Sequence, residues 1–263
     1  MIIGGGKMGQ ALAHGILSAN ALKPESLGIV EVFEPLRAEL GKEFPDCQIL
    51  ARPQPASSTL IAVKPDSVEK LAGTLGEDHK HRVLSIAAGV STAALEVWLG
   101  GRPSVIRAMP NTPAMLGHGM TALCGGRYAS ADDIQWAKSL MSAVGKVVVV
   151  KEVQIDAITA VSGSGPAYVF LVAEAMIEAA VSEGLGWDLA RELVTQTIYG
   201  AGAMLSDGSQ SPTILRQNVT SPGGTTAAGV GALEGAAVRA AFARAIAKAR
   251  ERSAEITAEL FKH

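Results

Sequence analysis

The sequence predicts an α/β protein: an N-terminal doubly wound, mostly parallel sheet followed by an all-helical second domain. Three observations lead there. Ile2 and Ile3 run directly into Gly4-Gly5-Gly6-Lys7-Met8-Gly9 and then into a helical pattern of small and apolar residues. Strand-like and helical stretches alternate as far as Lys151, as they do in parallel sheets with helical crossovers. From Gln154 onward no strand pattern remains, and Ala, Leu, Glu, Arg and Met dominate. The boundary is placed between residues 152 and 153, giving domains 1–152 and 153–263.

The first unit reads as strand, glycine turn, helix. The spacing of Gly4, Gly6 and Gly9 fits a dinucleotide-binding fingerprint, in which glycines permit a tight turn, close approach of a pyrophosphate and close helix packing. A second strand is expected over Gly28 to Phe33, ending at Glu34, an acidic residue about twenty residues beyond the loop where such folds read the ribose. Glu31 is a rival that falls inside that strand. Further strands are expected at Gln48 to Ala51, Thr59 to Val63, Val83 to Ala87 and Val105 to Ala108, with helices at Ser67 to Leu75 and Thr92 to Leu99. Thr121 to Cys124 and Lys146 to Val150 flank a helix from Asp132 to Val144.

Ligands of doubly wound sheets bind at the carboxyl ends of the strands. That rule selects Gly4, Gly6, Lys7, Met8 and Gly9 after the first strand and Glu34 after the second. It adds Val63, Lys64 and Pro65, then Ala87 and Ala88, and finally Asn111 in Met109-Pro110-Asn111-Thr112-Pro113. Each taken singly is also consistent with an ordinary turn.

Helices are expected at Gln154 to Val161, Pro166 to Glu183, Trp187 to Leu205, Pro212 to Asn218 and Thr226 to Phe261, the last kinked by Gly229, Gly231 and Gly235. Ser162-Gly163-Ser164-Gly165-Pro166 separates the first two, with Pro166 suited to a first helical turn. Ala167 to Val181 is apolar on most faces, interrupted by Glu174 and Glu178 and shorter than the ~20 residues a bilayer span needs. Burial against a second copy of the chain is the expectation.

Thr220-Ser221-Pro222-Gly223-Gly224-Thr225-Thr226 stands just before the last helical pattern. Glycines able to adopt positive φ let successive backbone N–H groups converge, and a helix start adds unpaired N–H groups and its positive dipole end. A small carboxylate or phosphate suits such a stretch. An ordinary turn with a Ser/Thr N-cap is the plainer alternative.

Composition narrows the function classes. With 263 residues, 48% of them hydrophobic, the chain can bury a substantial core. A formal net charge of −2 supplies no basic field for nucleic acid or anionic membrane, which favours a small-molecule partner. Cys47 and Cys124 are far apart and outside any metal spacing, and His79 and His81 flank Lys80 in a polar connection, so no metal is expected. No stretch reads as a secretory signal, and a cytoplasmic location is expected.

Several segments taken together resemble the pyrroline-5-carboxylate reductase family over essentially the whole chain. They are Ile3 to Gly9, Ala62-Val63-Lys64-Pro65, Ser85-Ile86-Ala87-Ala88-Gly89, Arg107 to Pro113, Val161 to Tyr168 and the Thr220 to Thr226 stretch. The resemblance implies a Rossmann-like domain, a helical domain like that of 6-phosphogluconate dehydrogenases, and a homodimer that assembles into a ring of dimers. The implied reaction is reduction of the imine of 1-pyrroline-5-carboxylate to L-proline by NADPH or NADH. By the same resemblance the backbone of Gly223, Gly224 and Thr225 holds the substrate carboxylate, Ser221 also lines the substrate site, and the Thr226 hydroxyl meets the ring nitrogen as the catalytic residue. Glu34 departs from the small hydroxyl or amide residue common in members that prefer NADPH.

Two other classes stay open at this point. A related imine reductase or hydroxyacid dehydrogenase would keep the cofactor domain; the latter usually has a lysine in the helix opening the second domain, and none occurs between Gln154 and Glu183. A non-catalytic dinucleotide-binding oligomer has no use for the Ser221 to Thr226 stretch.

Overall fold

The computed structural model describes residues 1–75 and 82–260. Strands β1 (Ile2–Ile3), β2 (Gly28–Val30), β3 (Gln48–Leu50), β4 (Thr59–Ile61), β5 (Arg82–Ser85), β6 (Ser104–Met109), β7 (Gly119–Gly125) and β8 (Gly145–Val149) form one sheet, in the order β3-β2-β1-β4-β5-β6-β7-β8. All pairs are parallel except β6 with β7. Helices α1 (Lys7–Ser18), α2 (Glu34–Glu43), α3 (Val68–Thr74), α4 (Thr92–Leu99) and α5 (Ala131–Ser142) cover it.

A side-chain period of two with both faces covered explains why β1, β2, β4, β5 and β6 each carry a pair of consecutive apolar residues. Ile2, Ile29, Leu60, Leu84 and Ile106 stand in register across five strands and join α1, α2 and α5 in one core. Their immediate neighbours Ile3, Val30, Ile61, Val83 and Val105 face the opposite way and join α3 and α4 in a second. Both faces are buried, so the polar chemistry of this unit is displaced to the strand ends.

The strand limits differ from expectation most at β2, which stops at Val30 rather than Phe33. Helix α2 starts at Glu34 with Pro35 in its first turn, and the residues between turn out of the sheet. Proline in a first helical turn is the signal that places the helix there.

Beyond β8 come α6 (Ile155–Ile158), a π-helix over Thr159–Gly163, α7 (Gly165–Ser182), α8 (Trp187–Asp207), α9 (Pro212–Asn218), α10 (Thr225–Gly235) and α11 (Val238–Leu260). The single helix expected over Thr226 to Phe261 is two. It breaks after Gly235, where Ala237 takes φ +57° and its N–H bonds to the Glu234 carbonyl. The chain forms two compact units, Met1–Ser164 with Lys248–His263, and Gly165–Ala247. The first keeps α6 and the π-helix beyond residue 152 and recruits the end of α11. There the Ser253 hydroxyl donates to Asp156 Oδ1 at 2.7 Å. At Gly89 (φ +76°) a Cβ would fall 2.8 Å from Ile256 Cγ2.

The second unit has a small core of its own, in which Ile177 of α7 packs with Ala190 and Val194 of α8. Phe170 and Leu171 on α7 are 61% and 65% exposed in the single chain. Among the described residues, Glu152–Ser182 is a helical run of 31 residues, long and apolar enough to cross a membrane by length and composition. This corrects the expectation of a shorter segment starting at Ala167, because the π-helix carries the run through the Ser162 to Pro166 stretch.

Candidate active site

The order β2-β1-β4-β5-β6 lines up the carboxyl ends of five strands, and the strand order reverses direction between β1 and β4. Such a switch point opens a crevice. Gly4 (φ +112°) follows β1, and a Cβ there would fall 2.5 Å from the Ala62 carbonyl oxygen. A Cβ on Gly9 would fall 2.0 Å from the Gly4 carbonyl oxygen. These two glycines let β1 and α1 close on one another. Gly6 is different, since nothing lies within 4 Å of a Cβ placed on it. Its surroundings are open, as a backbone approached by a bulky ligand requires.

Gly6 is also the N-cap of α1, with no side-chain cap and no acidic residue in the first turn. The N–H groups of Lys7, Met8 and Gly9 are therefore the unpaired donors of a helix N-terminus. The loop is held in shape by Gln10 Nε2, which donates to the Gly5 carbonyl at 2.7 Å, and by Glu31 Oε2, which accepts from the Gly5 N–H at 3.0 Å. A pyrophosphate fits this cradle, and the expected assignments of Gly4, Gly6, Lys7, Met8 and Gly9 fall on it.

At the end of β4, Val63 is half-buried, Lys64 is exposed and Pro65 opens a short 3-10 turn. After β5, Ala87 is buried, its N–H donating to Ser85 Oγ at 3.3 Å, and Ala88 is half-buried. All of these share the one edge. Glu34 lies at the first turn of α2, exposed and without a hydrogen bond or ion pair to the described residues. Asn111 follows β6, and its side chain is engaged within the protein. Oδ1 accepts from the Met120 N–H at 2.8 Å, while Nδ2 donates to the Ser162 carbonyl in the π-helix at 3.0 Å.

In the second unit, Ser221-Pro222-Gly223-Gly224 forms a type II turn. Pro222 occupies its second position, Gly223 takes φ +71°, and the Gly224 N–H donates to the Ser221 carbonyl at 3.0 Å. Of the two glycines expected to adopt positive φ, only Gly223 does. Gly224 (φ −79°) is extended and is the N-cap of α10. It is glycine for a different reason: a Cβ there would fall on the Ser221 hydroxyl. As in α1, no side chain caps α10 and no acidic residue occupies its first turn, so the N–H groups of Thr225 and Thr226 are available to an anion. The Thr226 hydroxyl has no partner among the described residues. The neighbouring Thr220 hydroxyl is closed off, donating to the Arg216 carbonyl at 2.6 Å.

Two residues near the sheet edge do more than the sequence suggested. Glu31, expected only as a rival inside the strand, lies just past β2 and accepts one hydrogen bond from the glycine loop, at the Gly5 N–H, and Pro35 was the clue that β2 ends before it. Glu152 is the second: its carboxylate accepts from the Thr92 N–H at 2.8 Å, from the Thr92 hydroxyl at 2.6 Å and from buried Arg107 at 3.2 Å. This network fastens the segment after β8 to the start of α4. Beside it, burial and then the Glu152 charge push the Cys124 thiol up to about 12, so it remains protonated at neutral pH. His79, Lys80 and His81 lie outside the described residues.

Comparison with known proteins bears on both units. Residues 152–256 match the family model for pyrroline-5-carboxylate reductase dimerisation, and residues 1–89 match that for NADP oxidoreductase, coenzyme F420-dependent. The pyrroline-5-carboxylate reductase of Corynebacterium melassecola is 38% identical over 97% of this chain and 97% of its own length. The solved structure of the Coxiella burnetii enzyme is 36% identical with a TM-score of 0.89, covering 97% of each chain. That of Plasmodium falciparum, with NADP bound, is 30% identical with a TM-score of 0.79, again covering 97% of each. An identity of this size over the full length, on a Rossmann-like sheet with a matching helical domain, makes this chain a member of the pyrroline-5-carboxylate reductase family.

Proposed function

We propose that this protein reduces the imine of 1-pyrroline-5-carboxylate to L-proline in proline biosynthesis, using NADPH or NADH. The observation that carries the reading is a pair of glycine-capped helix N-termini, one in each unit, both free of side-chain caps and of acidic residues. The α1 terminus suits a dinucleotide pyrophosphate. The α10 terminus suits a single carboxylate.

A bound reduced nicotinamide would supply hydride to the imine carbon, leaving the ring nitrogen as an amine. An imine already protonated in solution needs orientation and charge compensation more than a strong acid. The Ser221 to Thr226 stretch contains no His, Lys, Asp or Glu, in keeping with that demand. The N–H groups of Thr225 and Thr226 hold the carboxylate, the Gly223 turn shapes the approach, and the Thr226 hydroxyl hydrogen-bonds the ring nitrogen. Lys64 and Ala87-Ala88 line the cofactor edge.

We place the protein in the cytoplasm, as a homodimer through its helical domain and further as a ring of dimers. The dimerisation-family match over 152–256 and the exposed apolar residues of α7 support the dimer. Burial of α7 against a second copy, rather than in a bilayer, accounts for the hydropathy of the Glu152–Ser182 run.

The test is direct. Purified protein should oxidise NADH or NADPH only when pyrroline-5-carboxylate is added, followed by cofactor absorbance. Absence of turnover with both cofactors would overturn the assignment.

A further inference from the structure

Two carboxylates compete for the adenosine end of the cofactor edge, and the structure treats them differently. Glu31 directly follows β2. Its Oε2 accepts from the Gly5 N–H at 3.0 Å and its Oε1 from the Phe33 N–H at 2.9 Å, so the carboxylate is fixed between the β1 loop and the β2 loop. An ionised carboxylate offers about four acceptor positions, and two are left after these bonds. The backbone carrying it is braced as well: Arg37 Nη1 donates to the Glu31 carbonyl at 3.0 Å and to the Val32 carbonyl at 3.2 Å. Glu34 has neither anchor nor brace and projects from the first turn of α2.

We propose that Glu31 selects the cofactor by accepting the adenosine-ribose hydroxyls, and that it makes this chain favour NADH over NADPH. The proposal rests on the reading of the glycine loop as a dinucleotide site. A ribose diol has two donors to offer a carboxylate at the end of the second strand. A 2′-phosphate has none when ionised and brings charge of the same sign against an anchored, half-buried acid. Retreat of the Glu31 side chain would break its bonds to Gly5 and Phe33. Arg37 is the counterweight: its Nη1 is held by the Glu31 and Val32 carbonyls, and its Nη2 and Nε are the donors a 2′-phosphate would have to recruit against the Glu31 charge.

Binding of ADP-ribose and of 2′-phospho-ADP-ribose, measured by calorimetry on the full chain, tests this without substrate or turnover. The native protein should bind ADP-ribose at least about tenfold tighter, a ratio worth ~1.4 kcal/mol. Glu31→Gln should bring the ratio towards unity, while Glu34→Gln should leave it unchanged. Equal or tighter binding of the phosphorylated nucleotide by native protein would overturn the proposal, as would a ratio that moves with Glu34→Gln and not with Glu31→Gln. Should Glu31→Gln lose its cooperative thermal transition, the native ratio decides alone. Failure of both nucleotides to bind would overturn the dinucleotide reading itself, an outcome distinct from a reversed ratio.

Discussion

The side-chain amide of Asn111 bridges two backbone groups far apart in sequence, accepting from Met120 N–H at 2.8 Å and donating to the Ser162 carbonyl at 3.0 Å. The Ser162 end of the bridge lies in a π-helix, where the Ser164 N–H reaches back to the Thr159 carbonyl at 2.8 Å. Such turns leave a backbone short of its usual ladder partners. Asn111 supplies one of them.

Asn111→Ala should therefore destabilise the protein by about 1–3 kcal/mol, since it strips a donor and an acceptor from half-buried backbone groups. Asn111→Asp should recover part of that loss, keeping the acceptor for Met120 while losing the donor to Ser162. Urea denaturation of the three proteins checks the ranking. Equal stability of native protein and Asn111→Ala would show that water replaces the bridge.

Most of the sheet was legible because its strands bury both faces, which leaves uninterrupted apolar runs such as Val83-Leu84 and Val105-Ile106. The two glycine turns before α1 and α10 were legible too, because glycine at Gly4, Gly9 and Gly223 answers a backbone demand that few other residues meet. What the sequence did not carry is where polar side chains far apart in the chain meet. The Glu31–Gly5, Asn111–Ser162 and Ser253–Asp156 bonds span 26, 51 and 97 residues. Glu31 and Asn111 stand out locally as a strand-end acid and a turn residue, but nothing in the local pattern names the groups they bond. The split of the last helix was hidden for a different reason: Gly229, Gly231 and Gly235 all weaken the pattern, and only the left-handed Ala237 fixes the break.

Acid should loosen the N-terminal end of α5. Burial alone would raise the Asp133 pKa, but hydrogen bonds from the Ser130 hydroxyl and N–H, with Arg82 at 2.6 Å, hold it well below the usual carboxylate range. A depressed folded-state pKa contributes stability that is fully present above the unfolded value near ~4 and is lost as pH falls through the folded value. Asp133→Asn should cost about 1–3 kcal/mol at neutral pH. The gap between variant and native protein should narrow below about pH 4. Chemical denaturation at several pH values measures it, and a gap constant with pH would show that the carboxylate charge is not involved.

Helix α7 sets an expectation for assembly. Phe170, Leu171 and Met176 are 61%, 65% and 40% exposed in the single chain, more apolar surface than one helix leaves in water without a partner. Light scattering should return twice the mass of one chain or a multiple of that. Leu171→Glu should shift the distribution towards the single chain by placing a charge in the covered face. A native protein of one chain's mass at micromolar concentration would contradict the dimer.

The two threonines that bracket the Ser221 to Gly224 turn should separate cleanly in kinetics. Thr220 and Thr226 both carry a hydroxyl beside the proposed carboxylate cradle, but their surroundings differ. Thr220 donates to the Arg216 carbonyl at 2.6 Å and so completes the end of α9. Thr226 lies in the first turn of α10 with its hydroxyl unengaged among the described residues. Only the second is available to a ligand. Removing one orienting hydrogen bond costs ~1–2 kcal/mol, so Thr226→Ala should lower kcat/KM about five- to thirty-fold with the thermal midpoint unchanged. Thr220→Ala should do the reverse, lowering the midpoint slightly while leaving kcat/KM within about twofold of native. Thr226→Ser keeps the hydroxyl and should restore most of the activity, which distinguishes a lost hydrogen bond from a lost methyl contact. If Thr226→Ala kept native efficiency while Thr220→Ala lost it, the hydroxyl that meets the substrate would lie on the other side of the turn.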